Sequence, residues 1–149
     1  MLAIQCLLLV YKIHLEERYS QRNDVGSAGY DLKVLDSATI LPMQQVVFKT
    51  GLKAYMQRGE VLKLYPRSSL GIKRNVILSN LTGIIDESYH GNESNDGHIM
   101  IALRNLGTEP VFIEAGEKVA QGIFEKYLTT DNDCPVNDKR IGGVGSSGK

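Results

Sequence analysis

The chain has 149 residues, and 42% of them are hydrophobic, which favours one globular domain over a disordered or membrane-embedded chain. Its 17 basic and 17 acidic residues balance to a net charge of zero, which argues against broad electrostatic binding to nucleic acid. This balance still allows a small cationic pocket for one phosphorylated molecule.

The N-terminal segment is apolar, but it is too short to cross a bilayer. Residues 1–10 contain no basic residue before the apolar run, and no clear cleavage site follows it. We therefore expect no signal peptide and no membrane partner, and we interpret the segment as leading into a first β-strand that ends at Leu15. The two cysteines, Cys6 and Cys134, show no metal-like spacing, so we expect a reducing compartment, the cytoplasm.

Short segments rich in β-branched and aromatic residues follow along most of the chain, and turn signals separate them. After a polar loop at 16–27, their regular spacing predicts an all-β sandwich, jelly roll or barrel. The predicted strands cover 10–15, 28–32, 39–41, 45–52, 61–65, 76–78, 84–86, 99–105, 111–113 and 118–127.

One short helix is predicted near residues 66–73, with little helix elsewhere. Pro66 restricts Tyr65 to extended geometry, and Ser68 is a suitable N-cap residue. From 129 to 149 the sequence becomes polar and glycine-rich, which predicts a mobile C-terminal arm after a β-domain at 1–128.

A strand followed by a polar turn is predicted at Gly83–Asn92. Two β-branched residues favour extended structure, and the flanking glycines permit turns. A fixed carboxylate and a fixed ring there, Asp86 and Tyr89, suit a general base and a packing wall for a ligand. An ordinary surface turn is the alternative that the composition alone allows.

Two segments have the residue types that bind phosphate. Arg67, Ser68 and Ser69 lie at the predicted helix start, where backbone N–H groups and side-chain donors favour anions, although a capped helix with a solvated arginine is the alternative. In the tail, glycines allow close backbone approach and Arg140 supplies charge, although a flexible tail explains the composition equally well.

Two polar residues on predicted strands are further candidates. Asp31 has the hard oxygen ligand that Mg²⁺ prefers, although an aspartate after Gly-Tyr is also common at strand ends. Gln121 is either a hydrogen-bonding group for a ligand or a polar residue at a sheet edge.

Five segments, in this order along the chain, resemble the five motifs of the trimeric dUTPase family. They are Ala-Gly-Tyr-Asp-Leu at 28–32, Pro-Arg-Ser-Ser-Leu at 66–70, the stretch 80–91, Gly-Glu-Lys-Val-Ala-Gln at 116–121, and the glycine-rich stretch 140–148. Each segment alone is weak evidence, but five in order over nearly the whole chain identify the family strongly.

The resemblance implies a distorted jelly-roll subunit that forms a homotrimer, with each active site drawing on three chains and the C-terminal arm closing over a neighbour's site. It implies hydrolysis of dUTP to dUMP and pyrophosphate with Mg²⁺. By this resemblance, Asp86 is the general base that activates water, and Asp31 contacts the metal through water.

The resemblance also implies a set of substrate contacts. The hairpin ending at Tyr89 reads uracil, and the Tyr89 ring packs on the deoxyribose and excludes a 2′-hydroxyl. The implied substrate-binding residues are Arg67, Ser68, Ser69, Asn80, Gly83, Ile85, Tyr89, Gln121, Arg140, Val144, Gly145 and Ser146.

The fifth motif departs from the family pattern in two ways. Val144 stands where the family usually has a phenylalanine that stacks on uracil, and we consider His98 or His90 as its replacement. The segment is also one residue short before Gly142, so Lys139 and Arg140 compete for the phosphate role.

Ser69 replaces the usual glycine of the second motif, and Ser88 the usual acid of the third. The first change also resembles dCTP deaminase, which shares the fold. We rank this enzyme lower because Asp86 and Tyr89 match the hydrolase pattern. A trimeric nucleotide-binding or regulatory protein without turnover is the alternative from another functional class.

Overall fold

The computed structural model describes residues 10–12, 20–136, 140, 142 and 143, and most of this part of the chain is β-strand or turn. One α-helix, α1 (Ser68–Arg74), accompanies the strands in these described ranges. The described strands are β1 (Val10–Lys12), β2 (Ser20–Arg22), β3 (Tyr30–Lys33), β4 (Ala38–Ile40), β5 (Gln45–Lys49), β6 (Leu52–Ala54), β7 (Glu60–Pro66), β8 (Val76–Leu78), β9 (Gly83–Asp86), β10 (Met100–Asn105), β11 (Val111–Ile113) and β12 (Lys118–Lys126).

The largest described sheet has five strands in the order β2-β3-β12-β7-β9. A three-stranded sheet, β5-β10-β8, and two strand pairs, β1-β6 and β4-β11, complete the β-structure of the described ranges. Neighbouring strands in all four groups are antiparallel. This arrangement confirms the predicted all-β, jelly-roll type of fold with one short helix.

The core forms where apolar side chains alternate with outward-facing ones along the strands. In β10, the buried residues Ile101, Leu103 and Asn105 alternate with more exposed neighbours. Asn105 is fully buried, and its amide donates to the carbonyls of Ile40 and Glu109 at 3.0 and 2.7 Å. Satisfying a buried amide in this way ties β10 to the connections beside it, because an unpaired one would be costly.

Two predicted strands, β8 and β11, match the structure residue for residue, and most others agree within two residues at each end. The prediction missed β2, which lies inside the segment expected to be a polar loop. This strand, Ser-Gln-Arg, is at the edge of the five-stranded sheet, where no apolar pattern is required of it.

The single strand predicted at 45–52 is two strands in the structure. Gly51 has φ +70° and ends the extended run between β5 and β6. Glycine adopts this conformation without steric cost, so the chain turns there and the two strands join different sheets.

The helix is where the sequence predicts it, but the prediction that Ser68 is its N-cap is wrong. Helix α1 begins at Ser68, and Arg67 holds the N-cap position in extended geometry without a side-chain capping bond. The Arg67 side chain points instead to Asp31, with 3.3 Å between Nε and Oδ1.

Several predictions fall on residues outside the described ranges. They include the N-terminal segment before Val10, the end of its strand at Leu15, and most of the tail after Val136. The boundary between a β-domain and a mobile arm at 128 therefore stays a prediction. Within the described residues, no helix has the length and apolarity needed to cross a membrane.

Candidate active site

A polar cavity of about 320 Å³ lies at one end of the five-stranded sheet. The pairing of β3 with β12 sets Asp31 opposite Gln121, and β7 places Pro66 opposite Ala120 on the other side of β12. This register brings residues of the first, second and fourth motifs close together. The cavity is lined by Asn23, Ser27, Ala28, Gly29, Asp31, Arg67, Ser68, Gln121 and Ile123.

The carboxylate of Asp31 lies between two cations. Arg67 Nε is 3.3 Å from Oδ1, and Lys118 Nζ is 2.8 Å from Oδ2. The side chain of Asp31 is 15% exposed, whereas those of Arg67 and Lys118 are 36% and 33% exposed. Two cations around one carboxylate leave a net positive charge that suits an anionic ligand.

Lys118 is a residue that sequence reasoning missed. Its ammonium reaches Asp31 because the register between β3 and β12 shifts between Lys118 and Ala120. A shift of this kind re-aims the side chain beside it, and the sequence carries no clear sign of where it occurs.

The second motif contributes its residues through the strand-to-helix junction. Ser68 and Ser69 are both exposed at the first positions of α1, and Ser68 lines the cavity. The N-terminal backbone of a helix presents N–H groups that have no partner within the helix, so this junction supplies donors as well as hydroxyl groups.

A second cluster surrounds Asp86 at the end of β9. In this strand Gly83 and Ile85 are buried, while Ile84 and Asp86 face outward, and the Asp86 side chain is 52% exposed. A turn of 3-10 helix, Glu87–Tyr89, follows directly and places the Tyr89 ring against the core.

Arg140 of the C-terminal arm joins this second cluster. Its Nη1 lies 2.9 Å from Asp86 Oδ2, and its guanidinium carbon lies 5.2 Å from the centre of the Tyr89 ring. Two further donors, Nε and Nη2, bond to the carbonyls of Gly142 and Gly143. The described arm residue Arg140 thus lies on its own chain's Asp86, whereas the other predicted arm residues, Lys139, Val144, Gly145 and Ser146, are outside the described ranges.

The two clusters are well separated within one chain. Asp86 lies opposite Val61 of β7, whereas Asp31 lies opposite Gln121, which in turn lies opposite Tyr65. From β3 to β9 there are three strand spacings, about 14 Å, and from Tyr65 to Val61 there are four residues, about 13 Å, so the separation is roughly 20 Å. One chain therefore holds the predicted site in two parts.

The predicted uracil-reading segment has both exposed and buried members. Asn80 is exposed in the turn after β8, and Thr82 donates its N–H to the Asn80 carbonyl. Gly83 and Ile85 are buried, so any contact from them to a base uses their backbone groups. A Cβ on Gly83 would lie 3.0 Å from that of Leu64, so the close strand contact favours glycine.

The two histidines considered as stacking residues both have contacts within the fold. His98 Nε2 accepts the Gly51 N–H at 3.0 Å, and His90 makes an edge-to-face contact with Tyr55. Burial lowers the pKa of His98 from its ordinary value, and the nearby Lys49 lowers that pKa further. Neither contact tests the stacking role, which stays a prediction.

Comparisons with known proteins identify relatives of this chain. A family model described as dUTPase matches residues 17–148. The deoxyuridine 5′-triphosphate nucleotidohydrolase of Lactococcus lactis is 43% identical over 129 residues, which cover 86% of each chain.

Solved structures agree as well. The dUTPase of Streptococcus mutans superimposes with a TM-score of 0.77 at 40% identity, over 84% of this chain and 98% of that one. The dUTPase of phage φ11 of S. aureus, whose structure was described with a structural Mg(II) ion, has a TM-score of 0.71 at 22% identity, over 88% and 97% of the two chains, and supports the fold alone. From the family-model match and the relatives at 43% and 40% identity, we conclude that the chain belongs to the dUTPase family.

Proposed function

We propose that the protein hydrolyses dUTP to dUMP and pyrophosphate in the cytoplasm, which keeps uracil out of DNA and supplies dUMP for dTMP synthesis. The observation that carries the proposal is the cationic cavity around Asp31, Arg67 and Gln121, together with the outward-facing carboxylate of Asp86 at the end of β9. The family membership fits the same reaction.

In the proposed mechanism, Asp86 orients a water molecule and accepts its proton as the water oxygen bonds to the α-phosphorus. The bond from that phosphorus to the bridging oxygen breaks, and pyrophosphate leaves. Strand β9 and the following 3-10 turn fix the carboxylate, which favours catalysis by positioning.

Several donors are available to offset the charge of the triphosphate. Arg67, Ser68 and Gln121 line the cavity, and Ser69 follows at the helix start. Arg140 supplies another cation from the arm, with Lys139 as its competitor for the same role. Donors that are already in place favour the transition state because they need little rearrangement during the reaction.

The donor set of the cavity fits a hydrated Mg²⁺ ion rather than an ion held by protein ligands alone. Asp31 is the one carboxylate among the described lining residues, and the described residues contain no group of three or more His, Cys, Asp or Glu able to hold a metal. Mg²⁺ usually keeps several waters and binds substrate phosphates, so Asp31 would hold it through water. When bound, the ion would neutralise phosphate charge.

We also propose that the active sites form between subunits of a homotrimer. The separation of roughly 20 Å between Asp31 and Asp86, estimated from strand spacing, is too large for one chain to bring both to one α-phosphate. We therefore propose that a neighbouring chain supplies one of the two parts. Arg140 lies on Asp86 of its own chain in the structure, and we propose that in the trimer the arm, with Arg140, Val144, Gly145 and Ser146, closes instead over a neighbour's site.

The base and sugar would be recognised by the segment from Asn80 to Tyr89. Backbone groups near Gly83 and Ile85 would pair with uracil, and a pocket built for a carbonyl should reject the amino group of cytosine. The buried Tyr89 ring would pack on the deoxyribose.

The direct test is release of pyrophosphate from dUTP, dCTP, dTTP and UTP with Mg²⁺, for the wild type and Asp86→Asn. We expect release from dUTP alone and a loss of at least about 100-fold in kcat for the variant, as for removal of a general base. Undiminished turnover by Asp86→Asn would refute the assigned base. Ammonia from dCTP would indicate a deaminase, and binding without turnover would indicate a regulatory protein.

A further inference from the structure

The loop between Tyr89 and β10 is stabilised by two asparagine side chains. Asn92 is 5% exposed, and its amide nitrogen donates to the Tyr89 carbonyl at 2.8 Å and to Asn95 Oδ1 at 2.7 Å. Its Oδ1 accepts hydrogen bonds from the backbone N–H groups of Ser94 and Asn95. These bonds give the loop a defined conformation.

The side chain of Asn95 links this loop to the Tyr89 ring. Its Oδ1 accepts from Asn92 Nδ2 and from the Gly97 N–H at 3.1 Å, which fixes the amide orientation. The amide nitrogen therefore faces the Tyr89 hydroxyl at 2.7 Å, and it also lies 3.3 Å from the His98 carbonyl.

The Tyr89 hydroxyl makes two hydrogen bonds in this loop. It accepts the bond from Asn95 and donates to the His98 carbonyl at 3.1 Å. One end of the ring is thus fixed by two hydrogen bonds, and one face carries the Arg140 guanidinium. A ring held at its far end can tilt very little.

We propose that Asn95 is a positioning residue, which sets the plane of the Tyr89 ring and thereby the exclusion of a ribose 2′-hydroxyl. The inference rests on the proposed contact of Tyr89 with deoxyribose. Rejection of one added hydroxyl depends on a close, rigid wall, because a ring free to tilt would leave room for the extra oxygen. The five family motifs do not include Asn95.

The test is the ratio of kcat/KM for dUTP to that for UTP in four proteins: wild type, Asn95→Ala, Tyr89→Phe and the double variant. We expect each single substitution to lower the ratio about three- to tenfold, as for one hydrogen bond, mainly through better use of UTP. The double variant should lose no more than Tyr89→Phe alone, because that substitution already removes the bond to Asn95 together with the bond to the His98 carbonyl.

The matched control is Asp96→Asn on the same loop. The exposed carboxylate of Asp96 pairs with the largely buried Lys53 and has no described contact with Tyr89, so its substitution should leave the ratio unchanged. If this control lowers the ratio as much as Asn95→Ala, general loosening of the loop is the cause and the proposal fails.

Three further results would overturn the proposal. They are an unchanged ratio in Asn95→Ala, an unchanged ratio in Tyr89→Phe, and additive losses in the double variant. Tyr89→Phe retains the ring and its packing, so it still tests the proposal if Asn95→Ala does not fold. Lack of dUTP turnover by the wild type would refute the proposed function itself and is thereby distinguished from failure of this inference.

Discussion

The imidazole of His98 accepts a hydrogen bond from the Gly51 backbone, next to the turn that separates β5 from β6. Only a neutral imidazole has a nitrogen able to accept this bond. Burial and Lys49 lower the pKa of His98, so the folded state takes up a proton less readily than the unfolded chain. Protonation of His98 would break this hydrogen bond, so the turn next to Gly51 depends on pH.

We expect His98 to make the fold less stable in mild acid. The unfolded chain binds the proton near the ordinary histidine pKa of about 6.5, whereas the folded chain binds it only at lower pH. Stability from the neutral ring is therefore present above about pH 6.5 and is lost as the pH falls through the lowered pKa. Urea midpoints at pH 7.5 and 5.5, at one protein concentration, measure this loss.

His98→Gln is the matched variant, since its side-chain oxygen can accept the Gly51 N–H without titrating. The difference between its two urea midpoints should be smaller than that of the wild type. Equal pH dependence in both proteins would show that His98 does not contribute. The same variant also tests the stacking prediction. If His98 stacks on uracil, its replacement should raise KM for dUTP.

At the scale of elements, the sequence predicts strands well where one face of the strand is buried. The two β-branched residues of Gly-Ile-Ile-Asp predict the strand β9, whereas the structure shows that Ile85 is buried and that Ile84 and Asp86 face outward. Strand β2 has no such pattern because it lies at a sheet edge. The bulge that turns Lys118 toward Asp31 depends on strand register, which local sequence does not determine.

The contact between β7 and β9 predicts that Gly83 cannot be enlarged without cost. A Cβ at this position would lie 3.0 Å from Leu64 Cβ and 3.2 Å from its Cδ1. We expect Gly83→Ala to destabilise the fold by about 1–3 kcal/mol, the usual effect of overpacking. Urea unfolding at a fixed protein concentration measures it.

Gly71→Ala is the control, and it should change the stability of the fold in the opposite direction. Gly71 lies in the interior of α1, where a Cβ would meet nothing nearer than the Val76 carbonyl oxygen at 4.0 Å. Gly71→Ala should stabilise the fold by about 0.5–1 kcal/mol because alanine loses less backbone entropy in a helix. A stabilised Gly83→Ala would contradict the close contact between the two strands.

At the scale of the whole molecule, the sequence predicts candidate site residues but not that they lie in two places within one chain. Asp31, Arg67 and Gln121 meet because β3, β7 and β12 are neighbours in one sheet. Asp86 lies at the far side of the same sheet, and no local pattern reveals this distance. The idea of shared sites came from the family resemblance, and the strand register now provides a physical reason for it.

If the active sites are shared between subunits, mixing two inactive variants should restore activity. Asp86→Asn and Arg67→Ala, mixed in equal amounts and refolded together, should produce active sites in mixed trimers. Each such site takes its cavity from one chain and its Asp86 from another. In a random mixture, half of the chains have the native cavity and half have the native Asp86. About a quarter of the sites therefore combine the two native parts. Pyrophosphate release after mixing measures the recovery.

The control is the same mixture made without unfolding, in which subunits that do not exchange should remain inactive. Recovery near a quarter of the wild-type rate supports shared sites. If refolded mixtures stay inactive although each variant refolds alone into a trimer, both parts of the site belong to one chain.

The distance from Asp31 to Asp86 has a consequence for how much enzyme a cell must make. If the sites are shared between subunits as proposed, a single newly synthesised chain has no complete site, so turnover per chain rises with the number of chains already present. At low expression, halving synthesis would then reduce total turnover by more than half. Specific activity measured over serial dilution should fall once subunits separate, and it should recover on reconcentration.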